Sequence, residues 1–346
     1  MIRVGIVGFG GAGRAHFSRL SSLKGVVVTS VFDPEIDTEK QSEFPEVHFA
    51  ADYSSFLDNL DAVSICSPDH LHADYAVTSI GRGVATLVEK PMVTTASQIE
   101  AIGAALEQNR VTFGVHHQMR FVESFVAARK LVQSGELGEI LAIHADYVHD
   151  MRKRATKFHN WRVNPNCPQN IVLGGLSHTL DLIRWIMDEP VDCVSSFSSQ
   201  KGWDDYPDAV TTQVTLRFRS GTIANTFKTI ASAGPQRNTL AIYGTQGQIH
   251  NNWFRDKSGE LHELVGRRNL GFVGKLRDRF IERSLRRDTS ARDYPWSSYE
   301  HEQGCFSLLG EFTDAVRGSR QFSIGFDEGK ATIELCLRCI DAQQLA

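Results

Sequence analysis

Apolar residues in the first third of the chain fall in short runs, at 2–8, 26–32, 61–66, 84–88 and 111–115. Valine and isoleucine dominate these runs, and polar residues barely alternate with them, as in strands buried on both faces. Stretches with helical spacing of apolar positions lie between the runs, near 13–23, 69–81 and 96–108. Strand and helix in alternation predict a parallel sheet with crossover helices. After about residue 118 the pattern changes. A helix is predicted over 122–134, closed by Gly135 and Gly138, then a strand over 139–148. Loop-like sequence covers 150–172, and a further helix is predicted at 176–187. Alternating runs follow at 191–199, 208–219, 221–231 and 237–243, parted by turn signals such as Arg219-Ser220-Gly221 and Gly244-Thr245-Gln246-Gly247. Consecutive strands joined by tight turns predict an antiparallel sheet. Two helices, near 302–317 and 327–344, close the pattern. The expected fold class is α/β: a doubly wound parallel-sheet domain over 1–118, followed by an α+β domain over 119–346.

Composition narrows the function classes. The chain has 346 residues, 41% hydrophobic and 23% charged, which is ordinary for a globular protein and sized for two domains. A formal net charge of −4 gives no electrostatic reason to expect nucleic acid or an anionic membrane as partner. No apolar stretch approaches the length of a membrane span. The apolar run at Ile2–Val7 is too short for a signal peptide, so a cytoplasmic location is expected. Six cysteines, Cys66, Cys167, Cys193, Cys305, Cys336 and Cys339, form no disulfide framework. Cys336 and Cys339 make a C-x-x-C, but inside a helical pattern and without a second pair, so they are read as buried thiols and not as zinc ligands. Basic and acidic residues interleave over 274–293, as on a solvated helix; a site for an anionic substrate or partner chain is the alternative.

Gly8-Phe9-Gly10-Gly11-Ala12-Gly13 fits G-x-G-x-x-G, and here it closes the first strand and opens a helix, the context this motif requires. Gly8 suits a tight turn, Gly10 leaves room for a pyrophosphate, and Gly13 allows close helix–strand packing. Asp33 follows Gly13 by 20 residues, at the end of the second strand. A carboxylate there accepts from ribose hydroxyls and repels a 2′-phosphate, which favours NAD over NADP. A helix-cap or turn role before Pro34 is its alternative reading. Ser67-Pro68-Asp69 and Glu89-Lys90-Pro91 follow later parallel strands, at the edge where open α/β sheets bind ligands.

With these segments the sequence resembles the glucose–fructose oxidoreductase / inositol dehydrogenase / rhizopine catabolism family. Glu-Lys-Pro after a Rossmann strand is the most specific element. Gln118-Met119-Arg120-Phe121, Trp161-Arg162, Ser177-His178-Thr179-Leu180-Asp181 and His301-Glu302-Gln303-Gly304 extend the likeness over nearly the whole chain. The resemblance implies a nicotinamide-dependent dehydrogenase or reductase of sugars, cyclitols or related polyols. It also implies an open antiparallel sheet whose exposed face makes subunit contacts, and a last helix packed near the first domain. Independently of the resemblance, the runs 208–219 and 221–231 give a sheet with an apolar face that no later helix obviously covers, so a homodimer or homotetramer that buries it is expected.

Lys90 suits the proton transfer that accompanies hydride transfer, because an ammonium shielded from water beside a cationic nicotinamide titrates low. Charged, it stabilises a developing alkoxide; a structural salt bridge is the alternative. The resemblance puts His178 beside the substrate as base or contact. It suggests that Glu89 bonds the nicotinamide ribose. Ser67, Pro68, Asp69, His72 and Gln118 are read as further cofactor contacts. Arg120, Trp161 and Arg162 are read as substrate-side residues, with ordinary packing as the competing role for each. Family members like inositol dehydrogenase carry an aspartate four residues before the histidine, where this chain has Gly174 followed by Gly175. The division of labour between Lys90 and His178 is therefore open. His116, His117, Tyr147, His149 and His159 lie near the same elements, but no i,i+4 pair or carboxylate companion among them predicts a metal, and none is expected. Two other functions stay in view. One is an NAD-dependent glycoside hydrolase acting by transient oxidation, although no Tyr-x-x-His-Gly-like segment is found. The other is a non-catalytic NAD-binding regulator, which retention of Lys90 and His178 disfavours.

Overall fold

The computed structural model describes residues 1–152, 161–164, 166–167, 170–233, 236–265 and 298–345. His159 and the charged segment 274–293 lie outside the described residues. The chain divides into two compact units, Met1–Gln118 with Gln303–Leu337, and Met119–Glu302 with Arg338–Ala346.

In the first unit the valine- and isoleucine-rich runs become strands β1 (Ile2–Val7), β2 (Val26–Phe32), β4 (Ala62–Ile65), β5 (Ala85–Val88) and β6 (Phe113–Val115). A short β3 (His48–Phe49) joins them, and the order β3-β2-β1-β4-β5-β6 is parallel throughout. Ile6, Val63, Ile65 and Val88 are fully buried, which explains why these runs do not alternate. The crossovers are α1 (Gly11–Ser21), α2 (Thr38–Ser42), α3 (Tyr53–Phe56), α4 (His72–Gly81) and α5 (Ala96–Gln108). The short α2, α3 and β3 were not foreseen, because elements of this length carry no readable period. Asp52 starts α3 by accepting from Ser55 N at 2.7 Å. Strand order reverses between β1 and β4, so their carboxyl ends open the crevice where such sheets bind ligands.

Two late helices, α8 (Ser298–Val316) and α9 (Phe326–Asp341), bracket the returning chain. From Gln303 to Leu337 this return is part of the first unit. The Phe326 ring meets Phe113 edge-on at 6.2 Å, and the Phe322 ring fills the space a side chain at Gly114 would need. Cys305, Cys336 and Cys339 are buried and in no disulfide among the described residues, and burial pushes the Cys339 thiol up to about 12.

The second unit holds α6 (Glu123–Gln133), α7 (Ser177–Met187) and a sheet in the order β14-β13-β12-β11-β7-β10-β9-β8-β15. Its central strands are β7 (Ile140–Val148), β8 (Val191–Ser199), β9 (Thr211–Phe218), β10 (Ile223–Thr229) and β11 (Arg237–Gly244). Beyond them lie β12 (Gln248–His250), β13 (Trp253–Arg255) and β14 (Leu261–Glu263), which were not foreseen. Most pairs are antiparallel, but β7 pairs with β10 in parallel. The helix predicted to run to 344 stops at Asp341, and β15 (Gln343–Leu345) adds in parallel to β8. An open strand edge offers unpaired backbone groups, and the chain end pairs with them in place of a further helical turn.

The apolar face expected to lie uncovered on 208–231 is covered. Val214, Leu216, Phe218 and Ala224 are buried on one face of the sheet, and α7 packs over β7 and β10 on that side. The opposite face carries Thr211, Gln213, Thr215, Arg217 and Asn225, with Phe197 54% and Tyr243 40% exposed. No helix among the described residues is long and apolar enough to cross a membrane.

Candidate active site

The glycine motif lies where β1 ends and α1 begins. Gly8 has φ +81, and a Cβ on it would lie 2.8 Å from the Cys66 carbonyl oxygen. A Cβ on Gly13 would collide with the Gly8 carbonyl, so α1 starts directly against the strand. By contrast, a Cβ on Gly10 or Gly11 would meet nothing within 4 Å. No side chain caps α1 at Gly10, and Ala12 is exposed. An uncapped helix start beside open space fits the diphosphate of a dinucleotide.

Phe9 serves the loop differently from its neighbours. Its ring is buried edge-on to Phe17, Phe44 and Phe49, while its N–H donates to Asp33 Oδ2 at 2.6 Å. Asp33 Oδ1 accepts from Glu35 N at 3.0 Å. Asp33 therefore anchors the glycine loop as well as ending β2, and it remains partly exposed.

The loops after β4 and β5 are joined by His72. Its Nδ1 lies 2.8 Å from the Pro91 carbonyl oxygen and its Nε2 lies 3.0 Å from that of Ser67. The buried His72 ring is thus occupied by the backbone it holds. Ser67 and Asp69 are also buried, with Pro68 between them capping a single 3-10 turn, Asp69–Leu71. Gln118 is buried, and its Oε1 has no hydrogen-bond partner among the described residues. An orphaned acceptor on the first unit is a second observation that fits a bound polar ligand.

At the end of β5 the Glu89 carboxylate reaches into the unit. Oε1 accepts from His16 Nε2 at 3.0 Å and has His116 Nδ1 at 3.1 Å, and Oε2 accepts from Lys90 N at 3.0 Å. Burial would push this carboxyl up, but His116 and His16 override it and hold Glu89 well below the usual carboxylate range. Lys90 is half-buried, and its bond to Pro91 is cis.

In the second unit, a π-helical turn at Val172–Leu176 leads into α7, which carries His178. His178 is 5% exposed, and its ring meets Tyr147 at 5.3 Å, with His149 on Tyr147 at 4.9 Å. Lys228 Nζ lies 4.8 Å from the centre of the Tyr147 ring. The two glycines before His178 differ. A Cβ on Gly174 would face open space, whereas one on Gly175 would collide with Lys228. Strand register lines up Ser198, Thr212, Lys228, Tyr147 and Asn238 in one rung across β8, β9, β10, β7 and β11. This polar rung lies on the face otherwise buried under α7. Lys228 was missed from the sequence. Its signal was present: it shares the buried parity of Ala224 and Thr226 on an alternating strand.

Arg120 is committed inside the second unit. Its Nε and Nη2 donate to Asp181 Oδ2 and Oδ1 at 2.8 and 2.6 Å, and both side chains are buried. Trp161 and Arg162 form a single 3-10 turn, with the guanidinium 4.2 Å from the indole centre.

Residues 2–117 match an oxidoreductase family with an NAD-binding Rossmann fold, and residues 125–250 match the GFO/IDH/MocA C-terminal domain. The chain belongs to the GFO/IDH/MocA oxidoreductase family. Levoglucosan dehydrogenase of Pseudarthrobacter phenanthrenivorans is 25% identical over 291 residues, 73% of this chain and 74% of that one. Inositol 2-dehydrogenase 2 of Saccharopolyspora erythraea is 24% identical over 60% of each chain. Among solved structures, myo-inositol 2-dehydrogenase from Lactobacillus plantarum has a TM-score of 0.79 at 16% identity, over 99% of this chain and 96% of that one. The scyllo-inositol dehydrogenase of Lactobacillus casei, with NAD(H) and scyllo-inositol bound, has a TM-score of 0.77 at 18% identity, over 99% and 97%. At such identities these structures share the fold. Like other GFO/IDH/MocA chains, this one is an oxidoreductase with a nicotinamide-dinucleotide domain.

The buried Arg120–Asp181 pair yields a stability test. Asp181→Ala removes the carboxylate that takes two hydrogen bonds from this buried guanidinium, at an expected cost of about 3–5 kcal/mol. Urea unfolding measures it, and a loss below about 0.5 kcal/mol, the range of ordinary surface changes, contradicts the pairing.

Proposed function

We propose that this chain is an NAD-dependent dehydrogenase or reductase of a sugar, cyclitol or related polyol, reacting at a hydroxyl or keto carbon. The observation that carries the reading is a shared sheet edge. The glycine loop follows β1 and Lys90 follows β5, both at the carboxyl ends of one parallel sheet with only β4 between them. The named activities of the similar proteins, levoglucosan dehydrogenase and inositol 2-dehydrogenase among them, support this substrate class.

When bound, nicotinamide accepts or returns the hydride. The rest falls to the chain. The backbone of Gly10, Gly11 and Ala12 holds the diphosphate, and Asp33 accepts from the adenosine ribose. Ser67, Pro68, Asp69 and Gln118 line the same edge. Lys90 Nζ takes the proton from the reacting hydroxyl on oxidation, or gives it to the forming alkoxide on reduction. His178 serves as second base or substrate contact, held by the edge of the Tyr147 ring, with Lys228 beyond it. Position 174 supplies no carboxylate to orient this histidine, which makes Lys90 the principal proton carrier. The chain assembles as a homodimer or homotetramer through the open sheet face bearing Phe197 and Tyr243. A monomer at micromolar concentration in light scattering contradicts this assembly.

The catalytic test starts from a sugar and polyol screen read by reduced-nicotinamide absorbance. On the substrate it finds, Lys90→Ala lowers kcat by roughly 10²–10⁴ while NAD affinity holds. His178→Ala has an equal or smaller effect. If neither change slows turnover, the assignment fails.

Cofactor choice tests Asp33. NAD binds more tightly than NADP to the native chain, and Asp33→Ser with a neighbouring arginine relaxes or inverts the preference. Because Asp33 also holds the Phe9 amide, the exchange weakens overall affinity as well. Equal native affinity for the two cofactors contradicts the reading.

A further inference from the structure

Glu89 is held more firmly than an ordinary strand-end carboxylate. His16 is on the buried stripe of α1 with Gly13 and Leu20, and its Nδ1 lies 2.8 Å from Ser64 Oγ on β4. That contact fixes the ring, and its Nε2 is left to reach Glu89 at 3.0 Å. His116 approaches the same oxygen from the end of β6, with the two rings 4.4 Å apart and tilted by 51°. One imidazole would satisfy Glu89 Oε1. The second, at ion-pair distance through Nδ1, brings into the core two ring nitrogens, Nδ1 and Nε2, that make no geometrically regular hydrogen bond among the described residues. Leaving such a nitrogen buried costs about 1–3 kcal/mol. A purely structural contact gives no return for that cost, whereas a carboxylate gripped from two sides cannot swing. Its other oxygen holds the Lys90 amide.

We propose that His16 and His116 are positioning residues, which clamp the Glu89 carboxylate and through it fix the backbone from which the Lys90 side chain springs. This inference rests on the reading of Lys90 as proton carrier. The groups facing the clamp are His16 from α1, Ser64 from β4, Cys66 just after it, Lys90 after β5 and His116 after β6. Burial lowers the His16 titration, but Cys66 and Glu89 more than offset it, so the pKa is raised. The charge on the clamp is accordingly present at low pH and is lost as pH rises through that raised value.

Variants of the purified enzyme test the clamp. His116→Phe keeps the ring shape without its nitrogens. It lowers kcat about 10–100-fold, the scale for a misplaced catalytic group, with the KM for NAD and the thermal midpoint little changed. His116→Asn restores the donor near Nδ1 and recovers most of the rate. His16→Gln keeps a donor that does not titrate, and it shifts the alkaline limb of the kcat profile. In a Lys90→Ala background, His116→Phe costs nothing further, because the clamp acts only through Lys90. Additive losses in that double variant overturn the clamp, as does an unchanged pH profile. A stoichiometric metal in the native protein that is lost from His116→Phe also overturns it, since His16, Glu89 and His116 are spaced closely enough to share a cation. If Lys90→Ala alone leaves kcat unchanged, the functional reading fails and the clamp fails with it. A slow Lys90→Ala with additive histidine losses overturns the clamp alone.

Discussion

The close approach of α1 to β1 governs the first unit. Only a residue without a side chain at position 13 lets the helix begin against the Gly8 carbonyl. That approach aims the first turn of α1 at the carboxyl edge of the sheet. One helical turn later it delivers His16 to Ser64 and Glu89. Asp33 braces the same loop from β2 through the Phe9 amide, so three neighbouring strands converge on a few backbone atoms. Anion recognition at this edge is therefore a property of backbone placement, and side chains act mainly to hold that backbone in place.

The two units handle polar groups in opposite ways. In the first, buried histidines are spent on the protein itself: His72 on two carbonyls, His16 on a hydroxyl and a carboxylate. In the second, a rung of polar side chains crosses the otherwise apolar face of the sheet, with a lysine at its middle. Gly175 is shaped by that lysine, while Gly174 is under no such demand. The pair of glycines that stands out in the sequence thus has one member explained by packing. The other, Gly174, faces open space.

How much of this was legible in advance depended on range. The glycine loop, Asp33 and Glu89-Lys90-Pro91 are local motifs fixed to strand ends, and hydrophobic runs mark the strands. The nine-strand order could not be read, because parallel pairing of β7 with β10 joins segments some eighty residues apart. The polar rung was invisible for the same reason: its members share a row only once the register of five strands is known. His16 and Lys228 each left a local trace, a polar residue on a buried stripe or parity. The end of α9 was misread because the apolar helical period of 327–344 continues past the point where pairing with β8 takes over. The uncovered apolar face was misread because the covering helix, α7, precedes those strands in the chain.

The route of the chain through its two units has a consequence for synthesis. Phe322, Phe326 and Gly329 pack on Gly114, Phe113, Val115 and Met92, yet they are translated about 205–210 residues after Gln118, where the first unit's opening segment ends. At ribosomal speeds that gap lasts roughly 10–40 s. For that interval the last strand of the nascent parallel sheet stands without its final cover, and Phe113, Val115 and Met92 lack these partners. The nucleotide-binding unit is thus completed only after most of the second unit has been made, and a chaperone that shields that edge has a defined window in which to act.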